Sequence, residues 1–109
     1  MREWKIEYWS DGGGPNSIEK WFDSLTREQF KSVAKEMALL EIAGNNLRLP
    51  HSKSLKNGIF ELRERRYGYR IYYGFHGKIT IILLAAGNKK SQKKDIAIAR
   101  KRLLELGDK

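Results

Sequence analysis

At 109 residues, with 40% hydrophobic and 32% charged side chains, the chain is sized for one domain, 1–109, around a single core. No apolar run approaches the roughly 20 residues that span a bilayer, the start MREWKIEYWSD lacks a signal-peptide apolar region, and the lack of cysteine excludes disulfides, thiolate chemistry and cysteine-based zinc sites; a cytoplasmic location is the expectation. The net charge of +9 is uneven: residues 1–44 carry six basic and eight acidic side chains, residues 45–109 sixteen and five, which predicts a polyanion-facing side, with a merely solvated basic surface as the alternative, rather than a membrane-binding one, since no exposed apolar helix face adjoins the basic segments.

In chain order, EWKIEYW (3–9) alternates Trp4, Ile6 and Tyr8 against Glu3, Lys5 and Glu7, a half-buried strand at a sheet edge or beside the most apolar strand. DGGGP breaks it as a loop. Asn16, with Glu19 three residues on, caps a helix whose Ile18, Trp21, Phe22 and Leu25 form one buried stripe. Thr26, with Gln29 as its reciprocal partner, opens a second helix that Gly44 closes, with Phe30, Val33, Ala34, Met37 and Leu40 inward. The two make a helical hairpin that covers one side of a sheet. Nothing in this half carries chemistry.

NNLRLPHSKSLKN (45–57) reads as a polar loop gathering His51, Lys53 and Lys56. His51 is either a solvated side chain or, beside phosphate-binding cations, a proton carrier near neutral pH. His76 reads as structural.

Residues 58–90 predict three consecutive antiparallel strands. Phe60 and Leu62 point one way, with Ile59, Glu61 and Arg63 the other; Tyr69, Ile71 and Tyr73 oppose Arg70 and Tyr72; ITIILLAA is apolar on both faces. FHGK reads as a two-residue hairpin with Gly77 at positive φ, which sets Ile71 opposite Ile82 and Tyr73 near Thr80. In the preceding hairpin, Arg63 opposite Arg70 leaves the connection ERRYGY, with Arg65 and Arg66, and sets Glu61 opposite Tyr72. Two arginines facing each other repel unless an anion lies between them. Glu61 could supply it, or a nucleic-acid phosphate could, for which planar guanidinium forks are suited. The flanking basic residues favour the phosphate, and on that reading Arg63→Ala and Arg70→Ala variants are at least as stable as the native chain.

Beyond the last strand, a basic loop with Lys89, Lys90, Lys93 and Lys94 leads to a helix capped by Ser91, with Ile96, Ala99, Leu103 and Leu106 inward and Gly107 at its end. The run is either a solvated helix back or an extension of the arginine face, which Lys89 and Lys90 adjoin.

GIFELR, GYRIYYGFHGKITIILLAAGNKKSQKKDIAIAR and IEKWFDSL resemble the RelE/ParE superfamily of toxin–antitoxin toxins, within it the phage-derived Gp49-like, HigB-type addiction-module killer proteins. The resemblance implies an α+β fold, RelE-like: two N-terminal helices packed on a twisted antiparallel sheet of about four strands, plus a C-terminal helix. It implies an endoribonuclease that enters the ribosomal A site and cuts mRNA without metal or other cofactor, the 2′-hydroxyl attacking the adjacent phosphate. The catalytic residues it implies are Arg63 of ELR, Arg70 of GYR, Lys89 after the last strand (Lys90 if the loop is shifted) and His51, with Lys53, Lys56, Arg65, Arg66, Lys90, Lys93 and Lys94 binding RNA. A cognate antitoxin, of helix-turn-helix type with an acidic contact surface, is the implied partner. Two departures stand out. Ile59 and Glu61 lie where RelE proper has lysines, and SQKKDI lacks its helix tyrosine, so proton transfer falls to His51, a lysine or the ribosome. The ParE branch, which inhibits DNA gyrase, and a non-catalytic basic nucleic-acid-binding module are the rival readings. A metal nuclease needs clustered ligands, and the five acidic residues of the second half have no such spacing.

Overall fold

The alternating stretches of the second half become the middle of a five-stranded sheet flanked by helices on both faces. The computed structural model describes residues 4–10 and 17–107. Its elements are β1 (Lys5–Tyr8), α1 (Ser17–Asp23), α2 (Arg27–Ala43), β2 (Ser52–Ser54), β3 (Phe60–Glu64), β4 (Tyr69–His76), β5 (Thr80–Asn88) and α3 (Gln92–Leu106). The sheet order is β1-β5-β4-β3-β2. The DGGGP loop and the Asn16 cap lie outside the described residues.

Two expectations about the sheet need correction. β2 lies in the stretch read as a loop and pairs antiparallel with β3, giving five strands instead of about four. β1 pairs parallel with β5, so the sheet is mixed. Three-residue β2 is too short and too polar to show a period of two, and strand direction is not written in local pattern.

α2 begins as its sequence specifies. The Thr26 hydroxyl accepts the Gln29 N–H at 3.2 Å and the Gln29 side chain accepts the Thr26 N–H at 2.9 Å, and Gly44 ends the helix at φ +54°. Under α1 and α2 lies one core: Ile18, Phe22, Val33 and Leu40 against Leu62, Ile71, Tyr73, Ile81 and Leu83. Each such fully buried aliphatic contributes about 1.5–3 kcal/mol. Phe30, expected inward, is 47% exposed. Being in the first turn of α2, it reaches only the edge of Phe22, in a T-shaped contact with the ring centres 6.1 Å apart.

The opposite face holds a second core, Ile59, Tyr72, Ile82, Leu84, Ala85 and Ala99, closed by Ile96, Leu103 and Leu106 of α3. So α3 covers one part of the face carrying arginine and leaves the other open. Ser91 precedes α3 without capping it through its side chain. Instead Asn88 Oδ1 accepts the N–H groups of Lys90 and Ser91, while the Ser91 hydroxyl donates to Asp95 at 2.5 Å.

The β4–β5 register also departs from expectation. His76 pairs with Thr80 across a three-residue turn in which Gly77 does take positive φ, so Phe75 faces Ile81 and Ile71 faces Ala86, not Ile82. The two-residue turn would have paired Ile71, inside the α1–α2 core, with Ile82, which belongs to the α3 core; paired side chains share a face, and burial therefore rejects that register. Between Tyr72 and Tyr73 a bulge leaves Leu84 unpaired, and Leu84 and Ala85 both turn to α3. The slip brings Gly87 opposite Arg70. A Cβ at Gly87 would overlap the Asp95 carboxylate and the Ser91 hydroxyl, so the start of α3 sits directly on this glycine. We expect Gly87→Ala to lower unfolding free energy by about 1–3 kcal/mol, the cost of overpacking a filled site, measured by urea denaturation; an unchanged midpoint would show that α3 is not seated there. Among the described residues no helix is long and apolar enough to cross a membrane.

Candidate nucleic-acid interface

The β3–β4 register is the expected one: Arg63 faces Arg70 and Glu61 faces Tyr72. Alternation therefore puts both arginines and Glu61 on the α3 face, at the end α3 leaves open. The anion between the arginines is Glu61, which corrects the preference for a phosphate there. Its carboxylate, 1% exposed, accepts from Arg63 Nε at 2.8 Å and lies 3.3 Å from Arg70 Nε, an ion pair without hydrogen-bond alignment. Gln92, the first residue of α3, donates to the second Glu61 oxygen at 2.8 Å. One carboxylate thus takes the Nε side of two guanidiniums. The terminal Nη nitrogens of Arg63 and Arg70 have no hydrogen-bond partner among the described residues.

Both arginines line an open cleft of about 300 Å³, together with Pro50, Glu64, Arg65, Gly68, Tyr69 and Lys89. Glu64 shapes its rim. Its buried carboxylate accepts the Ser32 hydroxyl at 2.6 Å and the backbone N–H groups of Arg66 and Tyr67 at 2.9 and 3.0 Å. That commits its oxygens to folding the β3–β4 turn and so presents Arg65 and Arg66 outward, Arg66 with its guanidinium 5.1 Å from the Tyr67 ring centre. Lys89 arrives from the other side, in the short turn after β5.

Of the sequence-derived residues, the structure gathers Arg63, Arg70, Lys89 and Arg65 in this cleft. His51 is not among its lining residues. Its Nδ1 pairs with Glu36 of α2 at 2.9 Å, although its backbone carbonyl accepts the Arg63 N–H. Lys53 faces the same way as its β3 partner Glu61 from the exposed edge strand. Lys56 lies in the turn before β3 with φ +72°, and Lys90, Lys93 and Lys94 are exposed around the start of α3. Glu64 and Gln92 are the residues that sequence reasoning missed. The carboxylate of ERRYG, placed ahead of a turn rich in free N–H groups, was a usable signal for Glu64; none was available for Gln92, whose partner is 31 residues away.

The Tyr72 hydroxyl is buried beside the same carboxylate, without a well-formed hydrogen bond to any of the described residues. Burial first, then the negative charges of Glu61 and Asp95, push it well above the usual phenol range, with Arg70 opposing. Among the described residues no three acidic or imidazole side chains cluster to hold a metal ion.

Comparison with known proteins gives three likenesses. The sequence profile of the phage-derived Gp49-like family (DUF891) matches residues 20–104. An uncharacterised protein of Haemophilus influenzae is 45% identical over 56 residues, 50% of this chain and 57% of that protein, so the chain spans little more than half its length. The isolated RelE toxin of E. coli superimposes with a TM-score of 0.57 at 13% identity, over 90% of this chain and 98% of RelE, a likeness of fold.

Two outcomes follow from the Glu61 clamp. Arg70→Ala should cost about 1–3 kcal/mol, below the usual 3–5 for breaking a buried pair because Arg63 remains; this reverses the expectation of a variant at least as stable as the native chain. Urea denaturation of Arg70→Ala, Glu61→Gln and native protein reads it, and a stable Arg70→Ala would contradict the clamp. For Tyr72, a pKa raised in the folded state means that the folded chain keeps a proton the unfolded chain loses. Its contribution is therefore whole below about 10 and is lost as pH rises beyond. Tyr72→Phe should retain neutral-pH stability and flatten that alkaline fall, as chemical denaturation across pH 8–11 (roughly the titration range of phenols) would show.

Proposed function

Because this chain belongs to the phage-derived Gp49-like family, on a fold shared with the RelE toxin, we propose that it is the toxin of a toxin–antitoxin pair and an endoribonuclease acting on mRNA in the ribosome. The observation that carries the reading is the cleft in which Arg63, Arg65, Arg70 and Lys89 converge. In the reaction the ribose 2′-oxygen attacks the adjacent phosphorus as its proton leaves. The bond to the 5′-oxygen breaks, and that oxygen takes a proton. The products are a 2′,3′-cyclic phosphate and a 5′-hydroxyl end. Charge gathers on the non-bridging oxygens, where the free Nη groups and the Lys89 ammonium meet it. Each well-placed donor is worth about 3 kcal/mol there. Glu61 leaves those donors pre-oriented, so little reorganisation accompanies the chemical step. His51, engaged by Glu36, is the weaker member of the proposed set. The antitoxin would lay an acidic segment over the same cleft.

Lys89 is the clean probe, since it is exposed and its ammonium has no hydrogen-bond or ion-pair partner among the described residues. Lys89→Ala should leave stability within about 0.5 kcal/mol while reducing cleavage roughly 10²-fold or more. Mapping RNA 5′-hydroxyl ends with purified ribosomes tests it. If the native protein leaves message intact and changes DNA supercoiling instead, the nuclease reading is wrong.

A further inference from the structure

The acidic half contributes cations that no motif marks. Between α2 and the β3–β4 turn runs a polar groove of about 430 Å³ lined by Glu28, Lys31, Ser32, Lys35, Glu36, Glu64, Arg65 and Arg66. Arg65 lines both this groove and the Arg63–Arg70–Lys89 cleft, which makes them one continuous surface. Lys31, Lys35, Arg65 and Arg66 are all exposed, whereas of the three carboxylates lining the groove only Glu28 is. The Glu64 oxygens are occupied by Ser32 and the turn N–H groups and a Glu36 oxygen by His51, and both of these side chains are largely buried. Among the described residues only Glu28 approaches a groove cation, Lys31, at 4.0 Å and with both side chains exposed, where such pairs contribute little. Lys35 and Arg65 make no ion pair among the described residues, and Arg66 only lies against Tyr67. Exposed cations beside largely buried carboxylates form a seat for successive phosphates.

We infer that this groove binds the phosphodiester backbone of an RNA strand adjoining the strand position in the cleft, with Lys31 and Lys35 as phosphate contacts. The inference rests on the proposed action on RNA but is tested by binding alone, so the two can fail separately. Lys31 and Lys35 are one helical turn apart on α2, suited to neighbouring phosphates, and their contacts carry no base preference.

The test is fluorescence anisotropy of a short labelled single-stranded RNA against native protein, Lys31→Ala/Lys35→Ala, and Lys78→Ala/Lys101→Ala. The last removes the same charge from exposed positions outside both clefts. Losing two phosphate contacts should lower the slope of log affinity against log salt by about 1.4, while the control keeps the native slope. Ribosome co-sedimentation of the same variants identifies the strand: loss with the oligonucleotide marks messenger, and loss confined to ribosomes marks ribosomal RNA. An unchanged slope together with unchanged sedimentation, or an equal loss in the control, overturns the groove, leaving it to an acidic protein segment or to net charge. A normal groove effect in a protein that cuts no RNA would overturn the nuclease reading and leave the groove standing.

Discussion

A carboxylate removed from water between two guanidiniums is the constraint around which this molecule is arranged. Placing Glu61 at 1% exposure costs several kcal/mol of lost hydration. The Arg63 hydrogen bond, the Arg70 ion pair and the Gln92 amide offset that cost. Three elements are thereby tied at one point: β3 through Glu61 and Arg63, β4 through Arg70, and α3 through Gln92. The bulge in β5 belongs to the same arrangement. By bringing Gly87 opposite Arg70 it leaves a side-chain-free spot where Ser91 and Asp95 can seat α3.

The clamp also decides what the site can do. An arginine pair neutralised completely from within would be inert scaffolding, whereas here the carboxylate contacts only the Nε edges. The outer edges remain for a ligand, in a cleft that Lys89 and Arg65 enter from two different turns. Internal pairing and phosphate recognition, which the sequence poses as rivals, are compatible in three dimensions because a guanidinium has two usable edges. Rigidity comes from the buried side, and the exposed side is left to the proposed chemistry. Glu64 repeats the pattern at the β3–β4 turn, where a buried carboxylate organises N–H groups and so aims Arg65 and Arg66 outward.

Much of this was legible from alternation. The period-two pattern of FELR and GYRIYY placed Glu61, Arg63 and Arg70 on one face and gave their pairing, because those strands are joined by a short turn and differ sharply between faces. The capping box at Thr26 and the stripe Ile18–Phe22 were equally local and equally readable. ITIILLAA was not, since a strand buried on both faces has no polar side to fix its register, and the bulge at Leu84 left no local mark. The second core under α3 and the Gln92 contact depend on which part of the face α3 covers, a tertiary matter. His51 shows the opposite failure. Its closeness to the arginines along the chain was real at the backbone, yet a carboxylate of α2 took its ring.

The division of each guanidinium into an inner and an outer edge can be observed directly by NMR of the Arg63 and Arg70 side chains. Spectra would be recorded free and with a strand carrying 2′-deoxyribose at the attacking position, so that no cleavage follows. On this account the Nε–H signals of both arginines are protected from solvent in the free protein and stay in place on binding, while their Nη signals shift together. Binding that displaces the Nε signals, or leaves the Nη signals of both arginines unmoved, would contradict it.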